Sequence, residues 1–274
     1  MKSFELHLLP YELVIDSEWV KIEKKILKNL DLITKKLEVL KDRNKILNDL
    51  LVEESFFSAK RKNIFYSHRL YKKYVLQNKE KKIPAKYEEI MSCFEGLQFL
   101  KNQNSITHKT IFSLYSHIKG KNLGNKQKKN QYRNHLNWIG KEGCSIKEAY
   151  YLPPRPCYVP RLMKNLINYI RATESHAVIQ IAIIFAQFLI IHPFMDGNGR
   201  MIRSLVPFLF YQKGLTKEFI IFVSKYFSRR KLNYYRNLLK ITKLHDIKSW
   251  IRFFLDTILI VTEDLIKIVI IANR

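Results

Sequence analysis

The chain has 274 residues, 47% of them apolar, with only eight Gly and eight Pro, which excludes disordered, collagen-like and linker-rich classes and leaves enough length for a sizeable core. Lys and Arg number 49 against 24 Asp and Glu, a formal charge of +25. That surface attracts something acidic, whether nucleic acid, nucleotide, anionic membrane or acidic protein.

Glu5 and His7 interrupt the first apolar run, which argues against a secretory signal. From Trp19 through Ile22, Ile26, Leu30, Ile33, Leu37, Leu40, Leu47 and Leu51, apolar residues recur every three or four positions with lysines opposite. This predicts one long amphipathic helix or a helical hairpin, with Asp16 and Ser17 as candidate N-caps. A second helix is expected over Ala85 to Leu100, after Pro84 and a solvated loop carrying Lys79, Lys81 and Lys82. The polar stretch from Lys119 to Gln131 reads as another loop and the softest boundary in the chain. Leu136 to Ile139 and Ala149 to Leu152 then form a short predicted β-hairpin, turned near Gly140 and Gly143 and stopped by Pro153-Pro154.

The remainder is helical by its period: Pro160 to Ile170, His176 to Ile191, Gly199 to Gln212, Ser228 to Leu244 and Ile247 to Ile271. The most apolar of these, Ala177 to Ile191, is too short to span a bilayer and carries Gln180 and Gln187, so it reads as a buried core helix. Cys93, Cys144 and Cys157 are too few and too scattered for a disulfide framework or a zinc site. A soluble cytoplasmic protein with reduced thiols is expected, and translocation into a second cell would leave the same signature.

The chemistry concentrates in His192-Pro-Phe-Met-Asp196-Gly-Asn-Gly-Arg200-Met-Ile-Arg203. A helix ends at Ile191, and Gly197 and Gly199 allow close backbone approach before another begins. The outward N–H groups and positive dipole end of that second helix make a phosphate site. Arg200 and Arg203 share one face beside it. Asp196 is a hard oxygen ligand suited to Mg²⁺ that keeps most of its waters, and His192 is a general base near neutral pH. Each residue alone has a plainer reading, as a cap, a turn former or a solvated face. In this order they assemble base, metal ligand, anion hole and phosphate clamp within one short segment.

At every fixed position the segment resembles the Fic family signature His-x-Phe-x-Asp/Glu-Gly-Asn-Gly-Arg-x-x-Arg. The resemblance extends from about Ser105 to about Leu255. Tyr132-Arg133 and Asn137-Trp138-Ile139-Gly140 look like the family's flap, and Tyr151 to Met163 looks like the linker after it. It implies an all-α protein: a Fic helical core at 105–260 with a hairpin flap, an N-terminal helical region at 1–100, and the end of the C-terminal helix at 261–274.

The resemblance further implies transfer of AMP from ATP to a Ser, Thr or Tyr hydroxyl of a target protein, with Mg²⁺. His192 would take the hydroxyl proton, Phe194 would anchor the loop in the core, and Asp196 would hold the metal. Gly197, Asn198 and Gly199 would form the anion hole, and Arg200 and Arg203 would bind the β- and γ-phosphates. Tyr234 and Tyr235 either line the adenine pocket or pack between helices. The flap would add an extended target segment as a further strand, with Trp138 and Ile139 as docking residues or as core of the hairpin.

Many Fic proteins carry an inhibitory helix of pattern Ser/Thr-x-x-x-Glu-Gly/Asn, and this chain lacks an intact one. Its two Glu-Gly pairs, Glu95-Gly96 and Glu142-Gly143, are preceded four residues earlier by Met91 and Trp138. The best placed remnant lies in a degenerate helix near 55–66, where Ser58 and Asn63 remain and Lys62 stands in the glutamate position. Either the charge reversal releases the restraint or Lys62 is a surface residue. A separate inhibitor protein and self-modification both fit this pattern. Transfer of UMP or phosphocholine stays open because a phosphate site does not read the base. A silent, basic nucleic-acid-binding protein is the contrasting class, supported by charge but by no binding motif.

Overall fold

The computed structural model describes residues 8–59, 67–77, 84–119, 130–141 and 143–273. The N-terminal apolar period resolves into two helices. Helix α1, Ser17–Glu38, buries Trp19, Ile26, Leu30, Ile33 and Leu37 along one stripe, and α2, Arg43–Ala59, restarts after a turn at 39–42. Asp16 caps α1 by accepting from the Glu18 N–H at 2.8 Å, which satisfies an otherwise orphaned first-turn donor. Helices α3, His68–Gln77, and α4, Glu88–Lys101, follow. The lysine cluster at 79–82 lies outside the described residues.

Helix α5, His108–Lys119, falls where no helix was expected. Its signal is present in the apolar positions Ile111, Leu114, Tyr115 and Ile118, which share one buried face. Lys119, where the expected loop opens, is the last residue of this helix, and residues 120–129 lie outside the described residues.

The expected hairpin is reduced to a single antiparallel bridge between Ile139 and Tyr151. Its hydrogen bonds run from Ile139 N to Tyr151 O at 2.9 Å and from Tyr151 N to Ile139 O at 3.1 Å. The ladder goes no further because Ser145 and Glu148 close a capping box around a 3₁₀ turn on one side and Pro153 follows on the other. A proline has no N–H to give a ladder. Gly140 is required here, since a Cβ at that position would collide with Cys144 Sγ.

Helices α6, Val159–Arg171, α7, Ala177–Ile191, and α8, Asn198–Gln212, match their expected spans within two residues. The stretch expected to run from Ser228 is instead two helices, α9, Ser224–Arg229, and α10, Lys231–Leu244, broken at Arg230. Helix α11, Ile247–Ala272, closes the fold against α1 and α7. Among the described residues no strand forms beyond that one bridge.

Helix α7 is the centre, enclosed by α1, α6, α8 and α11. Its two glutamines each make a buried bond: Gln180 Nε2 donates to the Tyr169 carbonyl at 2.7 Å, while its Oε1 has no partner among the described residues, and Gln187 accepts from the Tyr11 hydroxyl. Buried Glu23 of α1 accepts from the Val178 N–H at 2.8 Å and from His176 Nδ1 at 2.6 Å, tying the N-terminal helices to the start of α7. One buried apolar cluster runs from Leu9 to Val269, so both parts of the chain share a core. Among the described residues no helix is long and apolar enough to cross a membrane.

Candidate active site

Helix α7 ends at His192, whose backbone is left-handed at φ 50° and ψ 62° and whose N–H closes the helix on Phe188 O at 3.0 Å. A non-glycine residue holds this conformation only when its surroundings impose it. Arg133 does so. It is 2% exposed, and its guanidinium donates to the carbonyls of His192 at 2.7 Å, His135 at 3.2 Å and Ile191 at 3.3 Å, and to that of Pro154. Its own N–H donates to Pro193 O at 2.8 Å. A buried cation thus occupies the negative end of α7 and joins that end to the flap.

The His192 imidazole places Nδ1 3.3 Å from Leu189 O. A ring nitrogen facing a carbonyl carries the hydrogen, which leaves the Nε2 lone pair free. Burial pushes the His192 pKa down to about 4, with Arg133 acting in the same direction and the Leu189 carbonyl and Asp196 opposing. The ring is therefore neutral at physiological pH and able to accept a proton.

The loop beyond is pinned from three sides. Phe194 is fully buried and stacks on Tyr115 at 3.8 Å between centroids and 5° between planes. Asn198 Oδ1 accepts from Phe194 N at 3.0 Å while Nδ2 donates to Phe194 O at 2.8 Å. From the flap, Asn137 Nδ2 donates to Met195 O at 3.0 Å. The Asn198 side chain is spent on this clamp. What it leaves at the start of α8 are main-chain N–H groups, which a helix cannot satisfy in its first turn. Gly197 takes φ +86° there, a conformation that favours glycine.

Asp196 projects from this loop with its side chain 66% exposed, and its Oδ2 accepts from Lys119 Nζ at 2.7 Å and from Arg200 Nη2 at 3.1 Å. Partial burial works to raise its pKa, but the Lys119 hydrogen bond and the two cations outweigh it and hold the carboxyl below its usual value. Arg200 Nη1 also lies 3.5 Å from Glu89 Oε1 of α4. Arg203 is held from elsewhere: Nη2 donates to Ser58 O at 2.9 Å, and Nε donates to Ser224 Oγ at 3.0 Å. Ser224 Oγ in turn donates to buried Glu54 of α2 at 2.6 Å, and Ser224 N donates to its other oxygen at 3.0 Å. Burial pushes Glu54 up to about 7 against those bonds and Arg203.

Seven residues singled out from the sequence meet here: His192, Asp196, Gly197, Asn198, Gly199, Arg200 and Arg203. Tyr234 is buried among Phe185, Phe227 and Trp250, whereas its neighbour Tyr235 is 52% exposed. On the flap, Trp138 is exposed and donates from Nε1 to Cys144 O at 2.9 Å. Ser58 reaches the site through its carbonyl, and Lys62 and Asn63 lie outside the described residues. Lys119 and Glu54 were not found from the sequence, and no local motif marks them; Ser224 was visible only as the start of Ser224-Lys-Tyr-Phe, which resembles the family's downstream helices, with no role attached. Arg133 was visible only as part of the flap pattern.

This arrangement, a base at a helix end followed by a glycine turn and two arginines on the next helix, is that of a Fic domain. Residues 105–209 match the Fic/DOC family, and the chain is a Fic-domain protein. It is 40% identical over 68 residues to a probable protein adenylyltransferase of Aquifex aeolicus, covering 24% of this chain and 21% of that protein. It is 30% identical over 109 residues to the protein adenylyltransferase Fic of Drosophila yakuba, covering 39% and 21%. The matching stretches thus span about a fifth of these curated relatives. Among solved structures, a Fic family protein from Desulfovibrio desulfuricans superposes with a TM-score of 0.75 at 17% identity, covering 93% of this chain and 76% of that one. A Fic-domain signaling protein from Bacteroides thetaiotaomicron gives 0.65 at 20% identity, with 89% and 97% covered. These superpositions establish the fold.

Proposed function

We propose that the protein is a protein adenylyltransferase, moving AMP from ATP to a Ser, Thr or Tyr hydroxyl of a target protein. The observation that carries this reading is the neutral His192 imidazole, its Nε2 without a partner among the described residues, set beside the unbonded first turn of α8 and the two arginines. Nε2 accepts the proton of the target hydroxyl, whose oxygen bonds to the α-phosphorus as the α–β bridging P–O bond breaks and pyrophosphate leaves. The N–H groups of Asn198 and Gly199 stabilise the charge developing on the transferred phosphate. Arg200 and Arg203 take the β- and γ-phosphates and neutralise the leaving group.

Asp196 would hold Mg²⁺. The donor set fits: among the described residues no group of three or more His, Cys, Asp or Glu could cage a metal, and Mg²⁺ commonly binds through a single carboxylate, waters and substrate phosphates. When bound it would supply positive charge to the phosphates.

The target, this chain itself included, docks along the flap at Asn137, Trp138, Ile139 and Gly140. A cleft of about 220 Å³ lined by His135, Leu136, Asn137, Trp138 and Met195 supports this reading, because it lies between flap and catalytic loop. The contact of Ser58 with Arg203 supports the alignment that puts Lys62 in the place of an inhibitory glutamate. Incubation with ATP labelled at the α- or the γ-phosphate, beside His192→Ala, tests the whole. Protein labelling from the α-label alone, lost in the variant, is expected. Labelling from γ would replace this reading with phosphoryl transfer.

A further inference from the structure

Lys119 is unlike the other paired lysines of this protein. In the other lysine ion pairs among the described residues the lysine side chain is 24–71% exposed, whereas that of Lys119 is 10% exposed. Its stem runs under the catalytic loop, with Cδ 3.5 Å from where a Gly197 Cβ would sit, and the last turn of α5 thereby carries an ammonium to Asp196 Oδ2 at 2.7 Å. A solvated surface pair spends side-chain entropy for little gain. This one is ordered by packing and shares its carboxylate oxygen with Arg200 at 3.1 Å.

Asp196 is the one carboxylate of the loop, and Lys119 and Arg200 both sit on its Oδ2. Ammonium and metal both need its lone pairs, and two cations at one carboxylate repel each other. We propose that Lys119 is a built-in counter-cation of Asp196, competing with divalent metal for the carboxylate so that metal enters readily only together with nucleotide phosphates; the inference rests on Asp196 being the metal ligand. Arrival of the phosphates gives the ammonium new anionic acceptors. A flexible four-carbon stem with three donors can turn to them, releasing Asp196 to the metal. The loop is thereby kept neutralised and ordered while empty, and a metal ion alone is a poor ligand.

The test is direct titration with Mn²⁺, followed by the electron paramagnetic resonance of the free ion, on the full chain without nucleotide. Wild type is compared with Lys119→Met, Lys119→Gln and Lys119→Arg, each first checked by its thermal melt. Removing the competitor is expected to tighten Mn²⁺ binding about tenfold, roughly 1.4 kcal/mol, in both Met and Gln variants and to leave the Arg variant near wild type. The gain should persist in 0.5 M KCl, where long-range field effects are screened. It should shrink when an ATP analogue with a methylene α–β bridge is added. Equal Mn²⁺ affinity in wild type and Lys119→Met, or a gain that vanishes in the salt, overturns the proposal. Asp196→Ala separates the two layers. If that variant loses Mn²⁺ binding while Lys119→Met matches wild type, only the competition fails; if Mn²⁺ binding is untouched by Asp196→Ala, the metal-site reading fails with it.

Discussion

Arg133 Nε donates to the carbonyl oxygen of His192 at 2.7 Å, and with no carboxylate among its hydrogen-bond acceptors the buried guanidinium is shared among four main-chain carbonyls. Replacing it by Met removes the cation and leaves those carbonyls without their donor in a dry site, where each unsatisfied group costs about 1–3 kcal/mol. Some relax toward solvent, so Arg133→Met is expected to lose roughly 3 kcal/mol, about 6–12 °C in Tm. Arg133→Lys keeps the charge but cannot span the fork, and should fall between. Thermal melts of both, with labelling assayed well below their midpoints, check this. A Met variant that melts with wild type would show that the guanidinium does not hold the His192 turn.

A second expectation concerns pH. The folded His192 pKa lies near 4 against 6.5 for the free side chain, so the unfolded chain binds a proton that the folded chain refuses between those values. Its contribution to stability is full above about 6.5 and is lost as pH falls toward 4. Glu54 runs the other way. Its folded pKa near 7 exceeds the unfolded 4.5, so its contribution is present at low pH and lost as pH rises through 7. Urea unfolding at pH 5 and pH 8 should show wild type losing stability relative to Glu54→Gln as pH rises, because the glutamine stays neutral. His192→Ala should blunt the loss of stability on acidification. Labelling, as far as His192 governs it, should stay flat from pH 8 down to about 5.

How much of this was readable without coordinates depended on distance along the chain. The catalytic loop was legible because its chemistry is contiguous: His192 to Arg203 are one helix end, one turn and one helix start. The core helices were legible because burial marks the sequence, as a period in α1, which buries one stripe, and as a continuous apolar run in α7, which is buried on nearly every face. Lys119 and Glu54 were not, because each comes from a distant helix, Lys119 to Asp196 directly and Glu54 to Arg203 through Ser224, and a lysine or glutamate on a helix looks like any solvated charge. The flap was over-read for a related reason. Ile139 and Tyr151 do pair as their surroundings suggested, but the Asn137 side chain donates across to Met195 O and that of Glu148 closes a local turn on Ser145, bonds that a period-two pattern does not reveal.

Asn198 offers a sharp test of what positions the anion hole. Its amide donates to and accepts from the backbone of Phe194 at once, so Asn198→Ala strands two buried polar groups, a cost of about 2–4 kcal/mol if neither rehydrates. Asn198→Asp keeps the acceptor for Phe194 N but sets a second oxygen against Phe194 O. Both variants should lose labelling, and the Asp variant should recover in part as its carboxyl protonates at low pH. Labelling by Asn198→Ala at wild-type rate would show that the loop holds its shape through Phe194 and Asn137 alone.

The last prediction turns on Arg203, whose Nη2 is already engaged by the carbonyl of Ser58 at 2.9 Å. The last turn of helix α2 thus touches Arg203, and the helix ends at Ala59, three residues before Lys62. In the proposed alignment, which brings residue 62 to Arg203, a cation there would repel Arg203 and attract the γ-phosphate, whereas a carboxylate would pair with Arg203 and oppose the phosphate. Lys62→Glu is accordingly expected to lower self-labelling about tenfold or more, an effect of roughly 1.4 kcal/mol, while leaving the melting temperature unchanged. Lys62→Ala should retain most of the activity, because removing a cation does not create the competing pair. Equal labelling by wild type and Lys62→Glu would show that residue 62 does not act on Arg203.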